Sequence, residues 1–122
     1  MRQYLFVYGS LKRGQMLHHR LGGKPIFQTT LKGFDCYVHP SIWYPALTKG
    51  TSAIIGEVYE ITPIKLKELD VLEGVSSGLY TRERIEITHP KTYAHMHVFV
   101  YLKNDVSGWK RIDKQIVEWP VS

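Results

Sequence analysis

A chain of 122 residues with 43% hydrophobic and 22% charged residues has room for one core, carries no disordered or fibrous bias, and is read as one domain over residues 1–122. The net charge of +5 is uneven: residues 1–49 hold seven Lys or Arg against Asp35 alone, while residues 50–122 hold nine against ten acids. The basic residues are dispersed and come with no homeodomain, zinc-finger or RNA-recognition signature, so nucleic acid is not expected as a partner and the bias suits a small acidic ligand.

The apolar run from Tyr4 to Tyr8 is too short for a signal-peptide core or for a membrane span of about 20 residues, which points to the cytoplasm. The lone Cys36 can form neither an internal disulfide nor a cysteine metal pair, and reads as a small, semi-buried hydrophobe.

The first predicted element is a buried strand, Arg2 to Tyr8, rich in aromatic and β-branched residues and broken at Gly9. Gln15 to Leu21 allows two helical turns, closed by Gly22-Gly23 and Pro25. A loop-rich middle follows, with a strand near Gln28 to Val38 and turns at Pro40 and Pro45. Ala53 to Ile61 is a strong strand interrupted by Gly56, the mark of a bulge or of another backbone approaching closely. A helix over about Pro63 to Glu73 has Thr62 as N-cap, Pro63 at its first position and Gly74 just past its end. Tyr80 to Thr88 and Tyr93 to Leu102 alternate as half-buried strands. One internal helix among many strands, without a βαβ rhythm, predicts an α+β fold with a largely antiparallel, barrel-like sheet.

Three groups of residues carry possible chemistry. The strand running into Tyr8-Gly9-Ser10-Leu11-Lys12-Arg13-Gly14 leaves backbone N–H groups free to hold an anion. It is no phosphate P-loop, because Gln15-Met16 stands where Lys and Ser or Thr are required, and Ser10 lacks the G-x-S-x-G context of a nucleophile. At about 100° per residue, Leu66, Leu69, Leu72 and Glu73 share one arc of the predicted helix. A carboxylate on an apolar arc near a helix C-terminus has its pKa pushed toward that of a useful general base, unless the side chain escapes to water or to Arg82 or Arg84. Six histidines include the strand pair His95 and His97, but no third metal ligand can be identified by spacing, so a solvent-facing or hydrogen-bonded pair is expected. Tyr80 is either a hydroxyl donor in a site or a boundary residue.

Phe6-Val7-Tyr8-Gly9-Ser10-Leu11-Lys12-Arg13-Gly14-Gln15, Tyr44-Pro45-Ala46, Gly56-Glu57-Val58-Tyr59, Leu69-Asp70-Val71-Leu72-Glu73-Gly74 and Tyr80-Thr81-Arg82, in that order, resemble the γ-glutamylcyclotransferase-like superfamily. The opening block is most similar to the γ-glutamylamine cyclotransferases, whose turn usually has threonine where this chain has Ser10. The resemblance implies a compact barrel flanked by a few short helices. It also implies a substrate pocket lined by Tyr8, Gly9, Ser10 and Leu11, and Glu73 as the acid–base residue. In such enzymes a γ-glutamyl substrate closes on itself to release 5-oxoproline and a free amine, with no metal or cofactor. Relatives on this fold without an established activity keep a second reading open, a non-catalytic domain that binds a small metabolite.

Overall fold

A computed structural model of the chain describes residues 2–8 and 24–118. In chain order the elements are β1 (Gln3–Val7), β2 (Phe27–His39), β3 (Ile42–Ile61), α1 (Pro63–Leu72), β4 (Tyr80–Thr88), β5 (His95–Lys103), β6 (Lys110–Arg111) and β7 (Ile116–Glu118). The strands form one sheet in the order β4-β5-β1-β3-β2-β6, with β7 also paired to β3. All pairings are antiparallel except β1 with β5 and β3 with β7. The short β1 is central, and Leu5, Phe6 and Val7 are buried because both of its faces are covered.

The alternation of β1 divides the interior in two. Phe6 packs with Leu31, Cys36, Leu47, Val58 and Val100 in a core drawn from β1, β2, β3 and β5. One face of so many strands can share one cluster only if the sheet curls around it, which gives the half-barrel form. Leu5 and Val7 point the other way and meet Tyr59, Ile61, Tyr80 and Tyr101 with Leu66 and Leu69 of α1. Each of these two helix leucines, essentially fully buried, contributes about 1.5–3 kcal/mol to holding α1 on the sheet.

Gly56 is a close approach rather than a bulge. Its register with Thr29 is regular, and a Cβ there would lie 2.4 Å from the Val7 carbonyl oxygen and 2.5 Å from the Phe6 ring. The middle of the chain differs from the sequence expectation. Pro40 does sit at the turn between β2 and β3, but Pro45 is buried within β3. The ladder is irregular there, passing from Tyr37 opposite Ala46 to His39 opposite Ile42, so the missing N–H of Pro45 falls where regular pairing is interrupted.

Local chemistry defines α1 at both ends. Thr62 accepts a hydrogen bond from the Lys65 N–H at 3.1 Å, with Pro63 following as the first helical residue. At the other end the Val75 N–H reaches the Asp70 carbonyl, the Gly74 N–H reaches the Val71 carbonyl, and Gly74 has φ +67°. This is a Schellman closure, in which the left-handed residue costs glycine little. The helix therefore ends at Leu72, with Glu73 as its C-cap, one residue short of the predicted span. The helix predicted at Gln15 to Leu21 lies outside the described residues, so α1 is the one helix among those described.

Candidate active site

The stripe that α1 turns to the sheet is narrower than the apolar arc predicted. Leu72 is 40% exposed. At about 100° per residue, Leu69, Glu73, Leu66 and Asp70 are centred on one line, and Leu72 falls well to its side. Two leucines and two acids thus face the sheet, and the two acids are treated differently.

Asp70 is matched. Arg82 of β4 donates to its Oδ2 at 2.7 Å, and the Tyr101 hydroxyl of β5 donates to its Oδ1 at 2.7 Å. The Arg82 guanidinium also stacks 4.8 Å from the centre of the Phe99 ring. Glu73 receives no such partner among the described residues. Of the two arginines proposed for it, Arg82 is taken by Asp70 and Arg84 is exposed. Burial pushes the Glu73 carboxyl up from 4.5 to about 7.

Three phenols lie within electrostatic reach of this carboxyl. Tyr8 follows the end of β1, and its hydroxyl donates to the Tyr101 carbonyl at 3.2 Å. Its pKa is pushed far up, by burial first and then by Tyr80 and Glu73. Tyr80 opens β4 and is pushed up by burial, then by Glu73 and Tyr44. Tyr101 is pushed up by burial and then by its bond to Asp70. All three keep their protons across the neutral range. The arrangement sets one half-buried carboxyl that exchanges a proton near neutrality near phenols that stay neutral.

Tyr8 and Glu73, named from sequence, are therefore brought together, whereas Gly9, Ser10 and Leu11 lie outside the described residues. Tyr80, left open between two roles, is buried beside Glu73. Asp70 and Tyr101 were not marked from sequence as parts of the site. The helical phase of Asp70 was a usable signal, but the place of Tyr101 beside it depends on pairings distant in the chain. His95 and His97 both turn to Glu86, at 3.0 and 3.8 Å, on an exposed strand end. Among the described residues no group of three or more His, Cys, Asp or Glu side chains is arranged to hold a metal ion. None of their helices is long and apolar enough to cross a membrane.

The family profile described as "Gamma-glutamyl cyclotransferase, AIG2-like" matches residues 5–119. The chain belongs to this γ-glutamylcyclotransferase family. Among relatives, a Methanocaldococcus jannaschii protein provisionally named a γ-glutamylcyclotransferase is 35% identical over 88 residues, covering 70% of this chain and 72% of its own. The γ-glutamylaminecyclotransferase of Rattus norvegicus is 31% identical over 94 residues, 69% of this chain and 62% of the rat protein. The solution structure of protein ytfP from Escherichia coli aligns with a TM-score of 0.61 at 30% identity, over 98% of this chain and 96% of the other. The curled, mostly antiparallel sheet with its short helix is thus the fold of the γ-glutamylcyclotransferase family.

Proposed function

We propose that the chain is a γ-glutamyl cyclotransferase of the γ-glutamylamine type, in which Glu73 is the general acid–base. The observation that carries this reading is Glu73 itself. It is a partly buried carboxyl with no cation or hydrogen-bond donor assigned to it among the described residues, and its pKa is raised to about 7. Its neighbour Asp70, three residues away on the same stripe, is fully matched. A carboxyl left unmatched beside a matched one is suited to exchanging protons rather than to holding the fold together.

The reaction follows from that chemistry. Glu73 takes a proton from the substrate's α-ammonium, and the freed amine attacks the substrate's own γ-carbonyl carbon. A C–N bond forms to close the five-membered ring. The amide C–N bond to the leaving amine then breaks as that nitrogen takes the proton held by Glu73, and the ring nitrogen gives its surplus proton to the freed Glu73 carboxylate, which passes it on to the released amine. Nucleophile and electrophile belong to one molecule, so holding the substrate folded exploits effective molarities of about 10⁵ M or more. The enzyme needs no nucleophile of its own. Tyr8 is assigned to the pocket wall, and the backbone N–H groups of residues 9–11 to the oxyanion or to the substrate carboxylate.

The test is 5-oxoproline release from ε-(γ-glutamyl)-lysine, γ-glutamyl amino acids, glutathione and γ-glutamylated secondary metabolites. Turnover of at least one compound is expected. Tight binding of a γ-glutamyl compound with no 5-oxoproline from any would replace the enzyme with a metabolite-binding domain.

A further inference from the structure

The loop that follows α1 brings two residues of the site to one neck. The Leu79 N–H donates to the Gly74 carbonyl at 3.1 Å, which closes the loop between Glu73 on one side and Tyr80 on the other. Asn104 fastens the Tyr80 side of that loop. Its side-chain amide donates to the Gly78 carbonyl at 2.8 Å and its backbone N–H to the Leu79 carbonyl at 3.2 Å, while the Thr81 hydroxyl donates to its Oδ1 at 2.6 Å. The Tyr80 side chain packs in one cluster with Leu66, Leu69 and Tyr101, and the Lys103 ammonium lies 5.2 Å from the centre of its ring. Backbone and ring are both fixed by the fold itself.

The three phenols near Glu73 differ in what they do with their hydroxyl hydrogens. Tyr8 gives its own to the Tyr101 carbonyl at 3.2 Å, and Tyr101 gives its own to Asp70 at 2.7 Å. The Tyr80 hydroxyl forms no hydrogen bond among the described residues. It is not sealed in the interior either. Among the described residues Gln3 Oε1 is the one buried side-chain oxygen or nitrogen without a partner, so the Tyr80 hydroxyl opens onto accessible space although the residue is only 6% exposed. Burial first, and then Glu73, push its pKa up, so it stays a donor. A fixed, accessible donor with no partner in the fold, across one closed loop from the carboxyl that moves protons, is suited to a substrate atom.

We propose that Tyr80 is a second catalytic residue, whose hydroxyl donates a hydrogen bond to the γ-carbonyl oxygen of the substrate during ring closure. This role rests on the cyclotransferase reading and adds to it a side chain that meets the developing negative charge. Glu73 serves the two nitrogens, taking a proton from one and supplying one to the other. The γ-carbonyl oxygen is untouched by those transfers. It gains charge as the amine adds to the carbon and loses it as the amide C–N bond breaks. Tyr80 keeps its proton throughout, and its hydrogen bond is strongest where that charge is greatest. A donor fixed in advance costs no reorganisation at that moment.

The test compares Tyr80→Phe and Tyr101→Phe with the parent, by 5-oxoproline release from ε-(γ-glutamyl)-lysine, γ-glutamyl amino acids and glutathione, and by urea denaturation. Removing one donor to a developing oxyanion costs about 10²–10³ in kcat, so Tyr80→Phe should lose that much with KM within about threefold of the parent. Its urea midpoint should not fall, because the lost hydroxyl has no partner among the described residues. Tyr101→Phe takes a donor from Asp70 and should lower the midpoint, which shows that denaturation registers a structural hydroxyl. Turnover by Tyr80→Phe within a few-fold of the parent overturns the role and leaves the activity standing. A loss of turnover that comes with a lowered midpoint assigns the Tyr80 hydroxyl to the fold and overturns the role as well. No 5-oxoproline from the parent removes both the role and the enzyme.

Discussion

Glu73 is the residue whose titration matters most. The folded chain holds its proton up to about pH 7, whereas an ordinary carboxyl of this kind releases it near 4.5. The folded state therefore binds more protons than the unfolded one between those values, and the stability owed to this group falls as the pH rises through that window. Above pH 7 the buried charge costs up to about 3 kcal/mol. Glu73→Gln should accordingly be more stable than the parent to urea at pH 8, by roughly 1–3 kcal/mol, and no more stable near pH 4.5. Equal denaturation midpoints for the two proteins at pH 8 would contradict the burial of this carboxyl without a partner among the described residues. In the parent, kcat/KM should rise with pH through about 7 as Glu73 becomes a base. A profile flat from pH 5 to 9 would speak against that role.

At the scale of the element, α1 is anchored where Asp70 meets Arg82 and Tyr101, one turn before the residue it must position. Asp70→Ala leaves Arg82 and the Tyr101 hydroxyl partly buried without their acceptor, a loss of about 1–3 kcal/mol. It should also lower kcat by loosening the end of the helix. Asp70→Asn keeps an acceptor and should recover part of both, as thermal melts and turnover can check. Gly74→Ala should cost at least about 1 kcal/mol, because the residue sits at φ +67° and a Cβ would approach the Leu79 Cδ1 to 2.8 Å. A melting temperature unchanged in that variant would deny the Schellman closure. Much of α1 was legible from sequence, since Thr62, Pro63 and Gly74 act locally and the phase of Glu73 follows from helical geometry. The partners of Asp70 were not, because they depend on β4 and β5 pairing in a particular register. Pro45 misled for the same reason. Its local signal is a turn, and only an irregularity in a long-range ladder admits it to a strand.

Across the whole molecule, the two cores on opposite sides of β1 make the interior depend on contacts between segments far apart in the chain. β4 could be recognised as a strand from its alternation, but the burial of Tyr80 at its start could not. The curl of the sheet and the gathering of Tyr8, Tyr80 and Tyr101 within electrostatic reach of one carboxyl could not, because each phenol comes from a different strand or its end. Cys36 reports on this interior directly. It is essentially fully buried, and burial pushes its thiol up to about 12, so iodoacetamide at pH 8 should modify it only through opening of the fold. Rapid alkylation of the native protein would show that the core is not closed around it. In the proposed mechanism ring closure rests on one carboxyl, and the most direct measurement is 5-oxoproline release by Glu73→Gln beside the parent, with γ-glutamyl substrate at saturation. Turnover should fall by about 10²–10⁴ while the variant stays folded and binds the substrate. Turnover within a few-fold of the parent would contradict Glu73 as the group that moves the proton.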